Sequence, residues 1–285
     1  MSMLRRTFCH APGVGPSLEA RLWAAGIHDW DILLDASPAD LPVPPARRGL
    51  LRQTVEESRE RLAAGRVEDA AWFAARLPAR EAWRLWSAFR DQAAYVDIET
   101  TGLGIGEDHI TTIACRDVTG LRTFVHGATL EDFRTALDHC RLLVTFNGKC
   151  FDAPCIEREL DMSLPMAHLD LRYPLKKAGL RGGLKAIEKT LGLDRGGLDG
   201  VDGFAAVLLW QGYRATGEAA WLETLLSYNA ADVLSLERLS ARTHNLLVEG
   251  TPFDLLEQLP EPEPPANPIP AHAGIVREVL QRMGR

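Results

Sequence analysis

The first residues along the chain that could take part in catalysis are two acidic residues, two positions apart. Asp97 and Glu99 interrupt the apolar run Tyr95, Val96 and Ile98, which predicts a strand. Side chains at such a spacing leave the same face of a strand, so both carboxylates can approach one ion. Neighbouring carboxylates repel each other, and a divalent cation relieves that repulsion. An isolated Asp-x-Glu also fits a solvated strand end. The acidic residues later in the chain must therefore distinguish a metal site from a solvated strand end.

Two further acidic residues follow at predicted element ends and faces. Asp152 comes after the apolar run 143–146 and a turn, where Pro154 indicates the first turn of a helix. A carboxylate at that place can cap the helix or bind a metal, and both interpretations stay open. Tyr228 and Asp232 are four residues apart on a predicted helix, so they share one face and can reach the same site.

The elements that must position these residues follow an α/β pattern. Three extended runs read as an antiparallel meander, and they are followed by helix, strand, helix, strand and then helices alone. The predicted strands are 94–99, 109–115, 121–126, 141–146 and 167–171. The predicted helices are 130–137, 154–160, 184–191, 204–213 and 218–247. We expect a mixed sheet flanked by helices.

The two ends of the chain have a different character. Residues 1–92 show helical spacing of apolar side chains without a persuasive strand, which predicts a small all-helical region. Residues 249–285 contain a proline-rich segment and one short helix near 275–283. We expect this tail to lie over the domain surface rather than to form a free linker. The predicted organisation is therefore a helical region (1–92), an α/β domain (93–248) and a tail (249–285).

Composition excludes several classes of protein. Hydrophobic residues make up 46% and charged residues 25% of the 285, as in ordinary globular proteins. No apolar run approaches the ~18–20 residues of a membrane span, and the first ten residues lack a signal-peptide core, so we expect a cytoplasmic protein without a membrane partner. The five cysteines have no CxxC spacing, which argues against disulfides or a zinc knuckle. The net charge of −7 excludes little, because bound metal ions can neutralise clustered carboxylates.

Together, the three acidic motifs resemble the DEDD superfamily of 3′-to-5′ exonucleases. Its pattern is Asp-x-Glu, then Asn-x-x-x-Phe-Asp, here 147–152, and then Tyr-x-x-x-Asp, here 228–232. The tyrosine resembles the DEDDy branch, since Ser227 stands where the other branch has histidine. The flanking stretches 83–85, 183–188 and 202–210 look like a bacterial family of ribonuclease-H-like domains with predicted exonuclease activity. The resemblance covers about residues 80–247 and implies a ribonuclease-H-like fold.

The resemblance also implies a mechanism for this chain. Asp97, Glu99, Asp152 and Asp232 would hold two Mg²⁺ or Mn²⁺ ions, with Asp97 as the bridging ligand. Two such metal ions stabilise negative charge on the attacking and leaving oxygens of a phosphodiester. Hard cations of this kind prefer oxygen ligands. Tyr228 would orient the attacking water, because a tyrosine hydroxyl of ordinary pKa ~10 is a poor free base. The expected activity is 3′-to-5′ exonucleolytic hydrolysis, with single-stranded DNA or 3′ ends as substrate.

Basic residues follow the second acidic motif. All five lysines of the chain lie between positions 149 and 189. A phosphate-tracking surface and a solvated helix face explain this stretch about equally well. The predicted nucleic-acid contacts are Asn147, Lys149, Lys176, Lys177 and Lys185. Nearby, the alternating pair His168 and Asp170 favours structural hydrogen bonds over metal binding.

The stretch 11–22 resembles a helix-hairpin-helix element, which binds the DNA backbone without sequence specificity. Gly13 and Gly15 would let backbone N–H groups approach a phosphate. Pro16 and Ser17 stand where binding versions often have a basic side chain, and a purely structural hairpin stays equally open. The possible hairpin is the reason for preferring DNA over RNA.

Other functions remain open at this point. An RNA exonuclease or a structure-selective endonuclease would use the same fold and ions. A nucleic-acid-binding adaptor without nuclease activity belongs to another class. The four carboxylates and Tyr228 count against an adaptor, because a binding module has no need to gather repelling charges. No protein partner is predicted.

Overall fold

The N-terminal region is built from helices, as predicted. The computed structural model describes residues 2–102, 108–193, 202–263 and 265–284. Among the described residues before position 93 there is no strand. The helices are α1 (Met3–Arg6), α2 (Pro16–Ala24), α3 (Trp30–Asp35), α4 (Pro45–Ala64), α5 (Val67–Arg76) and α6 (Trp83–Phe89), with short 3₁₀ turns at Pro38–Asp40, Ala79–Glu81 and Arg90–Gln92.

A five-stranded mixed sheet follows in the described part of the chain, in the spatial order β3-β2-β1-β4-β5. β1 and β2, and β2 and β3, are antiparallel, which confirms the meander predicted from the sequence. β4 is parallel to β1, and β5 is parallel to β4. The strands are β1 (Ala93–Thr100), β2 (Ile110–Asp117), β3 (Gly120–Val125), β4 (Leu142–Thr145) and β5 (Ala167–Asp170).

Helices surround the sheet and complete the predicted fold class. They are α7 (Asp152–Glu159), α8 (Arg172–Lys177), α9 (Leu184–Thr190), α10 (Gly203–Thr216), α11 (Ala219–Val248), α12 (Asp254–Glu257) and α13 (Ala273–Arg282). The helix expected near 130–137 is a 3₁₀ helix, Leu130–Thr135. The short helix α8 was not predicted, because Pro174 in its third position reads as a helix breaker although proline is tolerated in a first turn.

Alternation along β1 decides which face carries the acidic residues. Val96 and Ile98 pack into an apolar cluster with the 3₁₀ helix and α7. Tyr95 points the other way, into the core shared with the N-terminal helices and α11. Asp97 and Glu99 continue the Tyr95 side because strand side chains alternate between faces. Both carboxylates therefore lie on the face of the sheet that α11 covers.

The N-terminal helices and the sheet share one hydrophobic core. An ionic group, here called the arginine cluster, joins them and consists of the buried residues Glu19, Glu81 and Arg84 and the exposed residue Lys177. Arg84 contacts Glu19 at 2.7 Å and Glu81 at 3.0 Å, and Lys177 of α8 contacts Glu81 at 2.7 Å. The helical region is thus packed into the α/β domain through both apolar and ionic contacts.

The C-terminal tail lies along α11, as expected. Ser227 donates a hydrogen bond to the carbonyl of Ile269 at 2.9 Å, and Asn267 donates to the carbonyl of Ser227 at 2.8 Å. α13 buries Val276 and Val279 in a cluster with α10 and α11. Within the described ranges, no helix has the length and apolarity needed to cross a lipid bilayer.

Candidate active site

Three of the predicted metal ligands meet at the end of β1. Carboxylate oxygens of Asp97, Glu99 and Asp232 all lie within 4.8 Å of one another. The first two come from β1, and the third comes from α11, which crosses the same face of the sheet. Glu99 is 9% exposed and Asp232 is 6% exposed, so the oxygens gather in a largely buried place. With Asp152, described next, these residues form the carboxylate cluster.

Asp152 is the first residue of α7 and does not cap it. Phe151 occupies the N-cap position, and no side chain accepts a capping hydrogen bond there. The Oδ1 of Asp152 instead accepts a hydrogen bond from the backbone N–H of Ile98 at 3.2 Å, between the two acidic residues of β1. Burial and then the Asp97 carboxylate raise the pKa of Asp152 well above its usual range. The capping interpretation is therefore wrong, and the role of Asp152 as a metal ligand stays a prediction.

A tight turn between β4 and α7 brings Asp152 to this position. Asn147 has φ of 67°, in the left-handed region that asparagine tolerates better than most residues. A Cβ added to Gly148 would lie 2.3 Å from the Oγ1 of Thr145, so only glycine fits. The Asn-Gly pair of the second motif is therefore required by backbone geometry.

The carboxylate of Asp170, at the end of β5, holds that turn. It accepts hydrogen bonds from the backbone N–H groups of Asn147 at 2.8 Å, Lys149 at 3.2 Å and Arg172 at 3.0 Å. His168 makes a 2.8 Å hydrogen bond to Thr145, and burial, followed by Lys149, lowers the pKa of its imidazole to about 3. The pair His168 and Asp170 thus makes structural hydrogen bonds, as the sequence favoured.

Tyr228 lies one turn before Asp232 on α11 and is 4% exposed. The Nζ of Lys185 donates a hydrogen bond to its hydroxyl at 2.6 Å and lies 4.2 Å from the centre of its ring. Lys185, predicted as a nucleic-acid contact, is therefore part of the site itself. The long helix α11 and the short helix α9 together fix where the tyrosine hydroxyl lies.

Asn229 is a site residue that the sequence analysis missed. Its Nδ2 donates to the Oδ2 of Asp97 at 2.7 Å and to the backbone carbonyl of Asp97 at 3.1 Å. Thr112 of β2 donates to the Oδ1 of Asn229 at 3.1 Å and so orients the amide. Asparagine is uncommon in a helix interior, and its place directly after Tyr228 was the signal available in the sequence.

The remaining predicted nucleic-acid residues have different surroundings. Lys176 is exposed on α8, and Arg172 donates a hydrogen bond to the side chain of Asn147. Burial lowers the pKa of Lys149, whose side chain is partly covered. Lys177 differs from the expectation, because its ammonium lies 2.7 Å and 2.8 Å from the two carboxylate oxygens of Glu81. It belongs to the arginine cluster.

The stretch 11–22 contains a turn followed by α2, and the assignment as a helix-hairpin-helix element stays a prediction. Gly13 has φ of 75°, and Gly15 is the N-cap of α2. Arg47 of α4 donates a hydrogen bond to the carbonyl of Gly13 at 2.8 Å and lines a cavity of about 330 Å³ together with both glycines. A basic side chain thus lies beside the turn, although it comes from a different helix than the pattern places it.

The donor atoms of the carboxylate cluster fit a hard divalent cation. Carboxylate oxygens are the ligands that Mg²⁺ and Mn²⁺ prefer, and the cluster supplies no thiol or imidazole. A second close group, Asp117, His139 and Cys140, fits less well. Thr119 and Arg122 already bind the carboxylate of Asp117, and burial, followed by Asp117, raises the pKa of the Cys140 thiol to about 11.

Residues 94–243 match a family model described as the RNase H superfamily. No curated protein matches the chain. A solved structure similar to it is the family B DNA polymerase from the hyperthermophilic archaeon Pyrobaculum calidifontis, at 16% identity and a TM-score of 0.40 over 59% of this chain. The match covers 27% of the polymerase chain, so this chain spans about a quarter of that length.

Proposed function

Because this chain belongs to the RNase H superfamily, we propose that it is a divalent-metal-dependent 3′-to-5′ exonuclease. Membership supports a nucleic-acid-hydrolysing enzyme, and the site geometry supports the finer statement. One observation carries it: oxygens of Asp97, Glu99 and Asp232 lie within 4.8 Å of one another, next to Asp152 and one turn from Tyr228. A fold without metal chemistry gains nothing from collecting these repelling groups.

The carboxylate cluster would hold two Mg²⁺ or Mn²⁺ ions. When bound, such a pair stabilises negative charge on the attacking and leaving oxygens of a phosphodiester. The chain fixes the ligands in advance, since Asn229 holds Asp97 and the amide of Ile98 holds Asp152. Ligands held by neighbouring hydrogen bonds need no reorganisation when charge develops.

Tyr228 would orient the water that attacks phosphorus. Its hydroxyl accepts a hydrogen bond from the ammonium of Lys185 at 2.6 Å, which fixes where the hydroxyl lies. The ammonium of Lys185 would also place positive charge near the phosphate as negative charge develops on it. Tyrosine and lysine therefore act as one unit, in which Lys185 positions the hydroxyl that positions the water.

Polarity and substrate are the finest parts of the proposal. The order and spacing of the three motifs support removal of nucleotides from 3′ ends. DNA is preferred over RNA because of the hairpin, in which Gly13 and Gly15 would present backbone N–H groups to a phosphate, with the guanidinium of Arg47 beside them. A cytoplasmic location likewise stays a prediction from the sequence.

The test is hydrolysis of end-labelled single-stranded DNA, duplex DNA and RNA with Mg²⁺ or Mn²⁺, followed by resolution of the products. We expect a ladder that shortens from the 3′ end and appears first with single-stranded DNA. Asp97→Asn should lower the rate by at least ~10²-fold, by analogy with the loss of one electrostatic group in other enzymes. Asp91→Asn is the matched control, because Asp91 precedes β1 and its side chain is 94% exposed.

Each alternative has its own product pattern. Internal cuts would establish an endonuclease, and degradation of RNA alone would establish a ribonuclease. Binding without any product would establish an adaptor. Cleavage by Asp97→Asn at the rate of Asp91→Asn would remove the proposed mechanism altogether.

A further inference from the structure

A cationic groove opens beside the carboxylate cluster. Its volume is about 600 Å³, within the ~300–1,000 Å³ of typical ligand sites. Three basic side chains from α8 and the loop after it form its rim, and three apolar side chains lie among its walls. The rim residues are Arg172, Lys176 and Arg181, and the apolar residues are Phe146, Leu180 and Ile187.

Two of the lining residues belong to segments that position the site. Asn147 lines one wall and begins the turn that delivers Asp152. Gly183 lines the other and precedes α9, whose Lys185 reaches the hydroxyl of Tyr228 at 2.6 Å. The groove is therefore lined by the same turn and the same helix start that position Asp152 and Lys185.

Within the described part of the chain, the rim charges are not held in ion pairs. Across the described residues, none of the ion pairs includes Arg172, Lys176 or Arg181. Lys176 and Arg181 are both exposed. Lys177, next in sequence to Lys176, shows the opposite arrangement, since its ammonium is bound to the buried carboxylate of Glu81. Adjacent lysines thus differ, since Lys177 forms an ion pair with a buried carboxylate and Lys176 lines the groove.

The combination of rim and walls indicates a single strand of nucleic acid. Cations along a groove follow the phosphates, whereas apolar and aromatic side chains contact base faces. Phe146 is half-buried and lies at the groove, so part of its ring remains available. In a duplex the base faces are stacked on each other, so only an unpaired strand can use these apolar walls.

We propose that this groove binds the unpaired strand next to the bond being cut, with Arg172, Lys176 and Arg181 on its phosphates and Phe146 against a base. The direction of the strand toward the cut bond rests on the proposed function. Binding of the strand does not, because it can be measured without hydrolysis. It replaces the broader expectation that the whole lysine-containing stretch contacts nucleic acid.

The test uses the full chain in EDTA and a fluorescent single-stranded DNA 12-mer, with affinity read by anisotropy over a range of salt concentrations. Lys176→Ala with Arg181→Ala should raise Kd at least ~10-fold and lower the slope of log K against log salt by ~1.4, at ~0.7 per phosphate contact. The matched control is Lys189→Ala with Arg214→Ala, which removes the same charge at exposed positions outside the groove. The control should change Kd less than twofold.

Two further measurements test whether the groove binds a single strand or a duplex, and they separate this proposal from the nuclease proposal. A blunt duplex of the same sequence should bind both double variants with equal affinity. If the groove variant lost as much affinity for the duplex as for the single strand, the single-strand assignment would be wrong. Equal weakening of single-strand binding by both double variants would overturn the groove itself. Hydrolysis of thymidine 5′-monophosphate p-nitrophenyl ester with Mn²⁺ needs no strand in the groove, so in the unmodified protein it reports the carboxylate cluster alone. Absence of that hydrolysis in the unmodified protein would count against the nuclease and leave the groove result standing.

Discussion

The arginine cluster and the carboxylate cluster are both buried, but their charges are balanced in different ways. In the first, burial works to raise the pKa of Glu81, yet Arg84 and Lys177 overcome that effect and hold it below its usual value. In the second, burial and the neighbouring Asp97 act in the same direction, and the pKa of Asp152 is raised. Opposite charges gathered in the core join two parts of the fold, whereas like charges gathered beside a groove lower stability until a cation arrives.

The largest expected effect comes from breaking the balanced cluster. Arg84→Ala leaves Glu19 and Glu81 buried beside each other, and removal of one partner of a buried ion pair costs about 3–5 kcal/mol of unfolding free energy. Urea unfolding measures the loss. Arg80→Ala is the matched control, since Arg80 is 62% exposed and 3.9 Å from the same Glu81, and its change should stay within ~0.5 kcal/mol. Equal losses in the two variants would mean that the cluster does not hold the regions together.

The carboxylate cluster should lower the melting temperature when no metal is bound and raise it when metal is bound. A cation that binds only the folded state adds ~2.7 kcal/mol at a hundred times its Kd, so Mn²⁺ should raise the melting temperature by several degrees. Asp152→Asn removes one repelling charge and one ligand, so it should melt higher than the unmodified protein in EDTA and gain less from Mn²⁺.

The control for this melting experiment is Asp161→Asn. Asp161 is exposed just after α7 and has φ of 44°, a conformation that asparagine also accepts. It should melt and respond to Mn²⁺ as the unmodified protein does. A parallel metal response in Asp152→Asn would show that Asp152 is not a ligand.

Local spacing explains what the sequence could predict. The shared faces of Asp97 with Glu99, and of Tyr228 with Asp232, follow from the periods of a strand and a helix, which act over a few residues. The antiparallel meander and the all-helical start follow from the same patterns. The fold class therefore needed no knowledge of long-range contacts, whereas the grouping of these residues with Asp152 came from the family resemblance.

Long-range pairing explains what the sequence could not predict. Asn229 bonds Asp97 across 132 positions, and Lys177 bonds Glu81 across 96. No local pattern states which of two adjacent lysines forms an ion pair with a distant carboxylate, so Lys176 and Lys177 received the same prediction although their surroundings differ. The separation of groove residues from core residues is likewise a property of the assembled fold.

Asn229→Ala tests whether the carboxylate cluster depends on its own positioning contact. Loss of both hydrogen bonds to Asp97 should weaken Mn²⁺ binding by ~10–100-fold, the usual effect of removing a group that holds a metal ligand. Isothermal titration with Mn²⁺ gives the affinity. Asn245→Ala is the control, because Asn245 lies on the same helix and uses the same amide to hold Leu259 of the tail. The control should lose stability and keep its affinity for Mn²⁺, and an equal loss of affinity in both would assign Asn229 to the fold alone.

Tyr228→Phe should have the smallest effect and separates chemistry from assembly within the cluster. The substitution removes one hydroxyl and no carboxylate, and the phenylalanine ring can still lie beside the ammonium of Lys185, now 4.2 Å from the ring centre. Metal affinity should therefore stay nearly unchanged. The single-turnover rate should fall by roughly 10-fold, less than the ~10²–10⁴ of a full general base, because the hydroxyl orients the water without removing its proton. Both quantities are measured on one preparation, by rapid quench with saturating Mn²⁺ and by Mn²⁺ titration. A large loss of affinity with an unchanged rate would make Tyr228 a structural residue and would leave Lys185 without a role in orienting water.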